Sequence, residues 1–360
     1  MRTGNFLILR RLAQRGLEGC RTRLVPVAAA VVGSALIAAL VVHFGADAVV
    51  RSLRAVGWPG FAAIVMIHLA LIAGLGIAWW VLLPGTSPLA AIWGRLVRDS
   101  AAEVLPISQL GGYVAGARAL VGAGVSGTAA AATTIVDVTL EVLAQLFYTA
   151  LALILLLDFA PSNRIAGPAA VGLAVAAVLA AGFIVVQRQG FDLVGRVGRA
   201  AGRSWAERVA TGAAALHAAI GDVYRRGGRL AAGFFLHLGA WIANASEAWL
   251  ALRLAGRPLG FGPVLAIEGL LYAVRSVAFA VPNAVGVQEG AYVLLGAGFG
   301  VMPETALALS LLKRGRDLVI GLPALLAWQL VEGRHFWRRS VDPLPAAAVA
   351  AGLAAKPRPR

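Results

Sequence analysis

Long apolar runs alternate with short charged segments along this chain. Residues 24–44 carry no Asp, Glu, Lys or Arg, and the run is long enough to span a bilayer. Ala46-Asp47-Ala48 has the form of a signal-peptidase site, but a secretory apolar core is only about 7–15 residues long. The run therefore predicts an uncleaved first helix. Further complete spans are predicted at about 61–83, 128–157, 165–186, 230–252 and 305–331. Two other apolar stretches are interrupted. Residues 89–124 contain Pro106, Gly111-Gly112 and several charges, and residues 261–300 are broken at Pro282 and Gly286. Residues 187–229 are rich in arginine, yet Trp205, Val209, Leu216, Ile220 and Val223 recur at helical spacing. That pattern predicts an amphipathic helix on the membrane surface.

These patterns predict an all-α polytopic membrane protein with six complete spans plus two proline-broken regions, each either re-entrant from one side or crossing twice. A basic tail covers 1–23, a transmembrane domain 24–332, and a basic disordered tail 333–360. Only 14% of residues are charged, against about 25% in soluble domains. The net charge of +15 is dense in the two tails and in 187–229. Basic segments mark the cytoplasmic side, so both termini are expected there. The arginines are spread between apolar spans, which argues against nucleic-acid binding. One cysteine excludes a disulfide framework within the chain, and five scattered histidines form no cluster spaced for a metal. No cofactor motif, P-loop or nucleophile elbow is present, so no catalytic residue is expected.

The two broken regions resemble each other. LPISQLGGYVAGARALVGAGV and VPNAVGVQEGAYVLLGAGFGV align at a shift of 176 positions. That shift places Gly122 on Gly298, Gly124 on Gly300, Asp137 on Lys313 and Glu141 on Asp317. Repeat one then covers about 61–157 and repeat two about 230–332. Three complete spans separate the broken regions, and an odd number inverts the second copy. Inverted repeats with interrupted helices place a binding site near the bilayer midplane.

Ionisable residues at a helix centre in the bilayer cost about 2.5–3.5 kcal/mol each on insertion scales. Asp137 and Glu141 lie one turn apart on one predicted span. Lys313, Arg314, Arg316 and Asp317 lie on another. Such groups must meet each other or a wet cavity. They could form a structural ion-pair network, for example with Arg316 on Asp137 or Glu141, or line a cavity for a polar headgroup. Glu289 could cap backbone amides, pair with Arg275 or bind a cation. The candidate substrate-binding set is Pro106, Gly112, Arg118, Asp137, Glu141, Arg275, Pro282, Gly286, Glu289, Lys313, Arg314, Arg316 and Asp317. Arg98, Asp99 and Glu103 are assigned to a solvated mouth. The Gly112-x-x-x-Gly116 pattern permits helix association, with no oligomeric state implied.

The stretch from Val281 to Gly300 resembles the signature of the flippase-like membrane family related to the lysylphosphatidylglycerol synthase transmembrane region. Pro282, Gly286-Val287 and Glu289 carry that likeness, and Pro106, Gly111-Gly112 and Arg118 carry it more loosely. Family members often have Arg before the Glu, where this chain has Gln288. The Val-Gln-Glu-Gly form is most similar to the hopanoid-associated members. The resemblance implies a bacterial inner-membrane protein that moves membrane lipids, hopanoids among them. Gln288 would suit a less charged headgroup, such as a polyol. Two other function classes stand beside this one. The first is a membrane enzyme using Asp137, Glu141 or Glu289 as acid or base. The second is a scaffold for lipid-synthesis proteins.

Overall fold

A computed structural model describes residues 46–105, 108–159, 166–189, 203–278 and 281–341, with isolated positions before them. Most of the predicted first span, the N-terminal tail, Pro106 and the last part of the C-terminal tail lie outside the described residues. The described chain is helical throughout, apart from its turns and connections.

Helix α1 (Ala46–Val81) bends where Gly57 takes φ 63° and ψ 175°. Pro59 follows. Proline lacks an amide hydrogen and has a helical φ, so it suits the first turn of a new helix. The apolar part after this bend is the span read from the sequence. The eleven residues before the bend were not predicted as helix. Asp47, Arg51 and Arg54 interrupt their hydrophobic pattern.

The first broken region becomes two helices, α2 (Pro88–Val104) and α3 (Ser108–Gly122). Leu105 is extended, at φ −92° and ψ 145°, as the residue before a proline prefers. The two helices run antiparallel and nearly touch backbone to backbone. A Cβ on Gly112 would lie 2.7 Å from the Arg98 carbonyl oxygen, and one on Gly116 would lie 2.9 Å from that of Gly94. The Gly-x-x-x-Gly pattern thus serves packing within the chain.

Helix α4 (Gly127–Phe159) and helix α5 (Ala166–Gln189) match the predicted spans closely. α5 buries little; Val171, Val175, Val178 and Leu179 all point outward. An outward apolar face of this size belongs against lipid. Helix α6 (Arg203–Tyr224) is the predicted amphipathic segment. Its apolar face is not left for a membrane surface alone. Ile220 and Val223 are buried against Leu82, Val136 and Leu140.

Helix α7 (Gly227–Leu254) is followed by the second broken region. That region forms helix α8 (Phe261–Val277), a tight turn at Pro282–Ala284, and helix α9 (Val287–Ala297). Helix α10 (Pro303–Val341) continues past the predicted end of the last span and takes in residues 333–341, which were expected in a disordered tail; the rest of that tail lies outside the described residues. Among the described helices, α1, α4 and α5 are long and apolar enough to cross a membrane. α7 and α10, at 28 and 39 residues, have the length but are diluted by charge. The six-span expectation is thus met in part.

The packing has a regular plan. α1 and α7 lie against each other and run antiparallel, since Gly60 meets Leu254 while Gly233 meets Ala78 and Leu82. α4 packs on α7 and α8, and α10 packs on α1 and α2. α3 lies on α4 as α9 lies on α10. These neighbours are unchanged when α1, α2, α3 and α4 are exchanged for α7, α8, α9 and α10. The turns before the long helices also agree. Gly124 and Gly300 have φ of 95° and 74°. The amide of Val125 donates to Leu120 at 3.1 Å, and that of Val301 to Gly296 at 2.9 Å.

Candidate functional site

The charged residues converge on the contacts among α1, α2, α4, α7, α8 and α10. Asp137 and Lys313 each lie ten residues into their helices. At 1.5 Å per residue that is about 15 Å, half the thickness of a bilayer core. Five polar groups result.

In the first group, Arg95 binds Asp99 at 2.7 Å and Glu141 at 2.8 Å. Arg98 binds Asp137 at 2.7 Å and also Glu141. Its guanidinium lies 4.5 Å from the centre of the Tyr113 ring. His237 Nε2 is 2.9 Å from the other Asp137 oxygen. Both arginines are buried. A planar guanidinium can serve two carboxylates at once, which a lysine cannot do with the same geometry.

In the second group, Glu247 of α7 bridges His68 and Arg316. His68 Nδ1 stands 2.8 Å from Glu247, and Arg316 binds both Glu247 and its neighbour Asp317, the latter at 2.7 Å. In the third, Lys313 Nζ lies 2.5 Å from Glu268. The Tyr292 hydroxyl donates to Glu268 at 2.6 Å, and the Asn244 amide reaches the same carboxylate at 3.4 Å.

In the fourth, Glu289 caps the turn into α9 by accepting the Gly286 amide at 2.7 Å. The same carboxylate accepts Ser310 at 2.8 Å and Arg314 at 2.5 Å. Gln288 is buried and donates to Ser310 at 2.8 Å. Its amide is therefore spent inside the protein. The charge that an arginine at this position would bring to Glu289 comes instead from Arg314 on α10. In the fifth, Arg275 binds Glu103 at 2.8 Å, and Asn283 holds the Glu103 carbonyl at 2.6 Å. Asn283 and Ala284 have φ of 48° and 45°. Asparagine tolerates this left-handed region, while Ala284 pays a steric cost of about 1–2 kcal/mol. The turn thus ties α8 to the end of α2.

The structure brings Asp137 with Glu141, and it places Lys313, Arg314, Arg316 and Asp317 in three neighbouring groups. It does not pair Arg316 with Asp137 or Glu141, nor Glu289 with Arg275. Glu289 both caps and pairs. Gly112 is a packing residue. Arg118 is 63% exposed and pairs with Glu332 at the surface, apart from the other groups. Pro282 opens the tight turn, and Pro106 is outside the described residues. Arg98, expected at a solvated mouth, is instead buried in the first group.

Sequence reasoning missed Arg95, His68, His237, Glu247 and Glu268 as site residues. Glu247 and His237 were legible, since each is a polar residue within a predicted span. Arg95 and Glu268 were hidden in the broken regions, where charges look ordinary. Between α7, α8, α9 and α10 lies a small apolar space of about 10 Å³, with Glu268 and Tyr292 among its walls. That is about room for one water molecule.

The family described as Lysylphosphatidylglycerol synthase TM region matches residues 27–324. No curated protein and no solved structure matches the chain.

Proposed function

Since the chain belongs to the lysylphosphatidylglycerol synthase TM region family, we propose that this membrane protein transports or flips a lipid, a hopanoid or hopanoid-linked lipid, through the interface of two inverted halves. One observation carries the reading: six cations and eight carboxylates are gathered inside the helical bundle, and the Arg275–Glu103, His68–Glu247 and His237–Asp137 contacts join one half to the other. Ion pairs in an apolar interior add little net stability, because desolvation offsets their attraction. A mere anchor would be served as well by leucine. A headgroup entering between the halves would exchange its hydroxyls or charges for these partners, while its apolar body stays against the outer helices.

The antiparallel α1–α7 contact and the exchange of neighbours support an inverted repeat. So do the matched turns at Gly124 and Gly300. In such folds the two halves rock around a central site. With the carboxylates of the bundle each held by a cation, transport on this reading requires the halves to separate. Gln288 adds no cation, which favours a headgroup of hydroxyls over a strongly anionic one. The carboxylates are each engaged by a cation, which favours transport over acid–base catalysis. The basic tails support an inner-membrane orientation with both termini in the cytoplasm.

Deleting the gene and measuring hopanoids in separated inner and outer membranes tests the reading. A shifted distribution, restored by the wild type but not by folded Glu289→Gln or Arg316→Gln variants, is expected. An unchanged distribution would remove the hopanoid assignment, and fully active variants would point to a scaffold.

A further inference from the structure

The two halves meet along a pair of matching seams. α4 packs on α8, and its counterpart α10 packs on α2. The 176-position shift carries Gln145 onto Gly321 and Ser100 onto Ser276. The contacts respect that match. Gln145 of α4 reaches Ser276 of α8 at 2.6 Å, and a Cβ on Gly321 of α10 would lie 3.6 Å from Ser100 of α2.

The seams differ at this point. Gly321 and Ser100 are both buried, because a glycine lets α10 lie directly on α2. In the α4–α8 seam a half-buried glutamine stands where the other has glycine, and Ser276 is exposed. Farther along, that seam is tight again. Gly262 meets Phe159, and Gly269 meets Ala152 and Tyr148. The opening is therefore local to Gln145, Tyr272 and Ser276.

Gln145 lies two turns beyond Asp137 on α4, well inside the span. Polar groups that face outward at such a position are costly unless something there uses them. A hydrogen bond between helices accounts for part of the pair. Gln145 Nε2 donates to Ser276 Oγ at 2.6 Å and to the Tyr272 carbonyl at 3.3 Å, and Ser276 donates to the same carbonyl at 2.9 Å. The Gln145 Oε1 atom accepts from none of the described residues. Two donors in the adjoining wall are also unspent. The Trp241 ring centre lies 4.5 Å from that of Tyr272 and 6.0 Å from that of Tyr148. The Trp241 indole N–H and the Tyr148 hydroxyl are buried and have no hydrogen-bond partner among the described residues.

We propose that this opening is a binding site for a hydroxyl-bearing lipid headgroup, with Gln145 and Ser276 as its contacts. The proposal rests on the reading that the protein handles a lipid, and it names where the headgroup is recognised. A hydroxyl both donates and accepts, so it can use an unspent acceptor together with unspent donors. A cation would leave the donors unspent. An anion would stand beside Glu141, one turn from Gln145, and near Glu103, which pairs with Arg275 next to Ser276; these two acid side chains are 14% and 22% exposed. The position inside the span favours a lipid over a soluble polyol, since the ligand arrives from hydrocarbon.

The test measures binding rather than movement. The full chain in detergent is titrated with bacteriohopanetetrol, which carries a hydroxylated side chain, and with diploptene, which has the same ring system and no hydroxyl. Native mass spectrometry reads the lipid retained. Tighter retention of the tetrol is expected. Gln145→Leu and Ser276→Ala are each expected to weaken the tetrol about 2–12-fold, the equivalent of one hydrogen bond, and to leave diploptene unchanged. Ser276→Thr keeps the hydroxyl and should keep the tetrol. Ser100→Ala, on the shut seam, should change neither lipid. Circular dichroism identifies any variant that fails to fold, and the wild-type preference is decided without variants.

A wild type that does not distinguish the two lipids would overturn the proposal, and so would a preference that survives both Gln145→Leu and Ser276→Ala. Free erythritol that displaces the tetrol at equal concentration would overturn the lipid assignment in favour of a soluble polyol. Selective binding with an unchanged hopanoid distribution in the deletion strain would refute the transport reading and leave this site standing. A shifted distribution without selective binding would do the reverse.

Discussion

Replacing Lys313 by methionine removes one charge from the core and little volume. In the folded protein its ammonium lies 2.5 Å from Glu268, and both side chains are buried. Without it, Glu268 keeps two neutral donors, Tyr292 at 2.6 Å and Asn244 at 3.4 Å. Those bonds already exist in the wild type, so they offset nothing. Breaking one side of a buried pair costs about 3–5 kcal/mol. Glu268→Gln alone strands the lysine and costs a similar amount. The double variant strands no charge, and its loss falls to that of altered hydrogen bonds, about 1–2 kcal/mol. The expected coupling between the two positions is therefore at least about 4 kcal/mol. Unfolding in mixed micelles of rising dodecyl sulfate content, followed by tryptophan fluorescence, measures all four proteins. A single variant within about 0.5 kcal/mol of wild type, or single losses that simply add in the double variant, would refute the reasoning.

Other substitutions probe the packing. Gly112→Ala pushes a Cβ to 2.7 Å from the Arg98 carbonyl and should cost about 1–3 kcal/mol in the same unfolding experiment. Gly122→Ala, with open space around it, should be neutral or slightly stabilising. Asn283→Ala loses both the left-handed preference and the bond to Glu103. Asn283→Gly loses only the side-chain bonds, to Glu103 and from Arg275, so it should retain about 1–2 kcal/mol more stability than the alanine variant. Arg118→Ala removes an exposed pair and should change stability by less than about 1 kcal/mol.

Much of the helix plan was readable because bilayer length and apolar composition leave few alternatives. The span at 128–157 appears as α4 within two residues at either end. The first broken region also divides where proline demands. The pairing partners were not readable. Asp137 announced that it needed a cation, but Arg98 lies 39 residues away on a helix that only the fold brings near. His68 and Glu247 are separated by 179 positions, and no local pattern links them. The start of α1 was missed because its charges hide a short helix whose stability comes from packing on α10, through Val49 and Leu307.

The order of the paired charges along the chain bears on how the protein is made. Arg95 and Arg98 can be neutralised as soon as Glu141 has left the ribosome. Glu247 must wait for Arg316, 69 residues later. At about 5–20 residues per second, that interval is roughly 3–14 seconds. Of the partners Glu247 has in the folded protein, His68 alone precedes it in the chain. A buried acid is thus made before its cation, and a histidine already in place can donate to it until the last helix arrives.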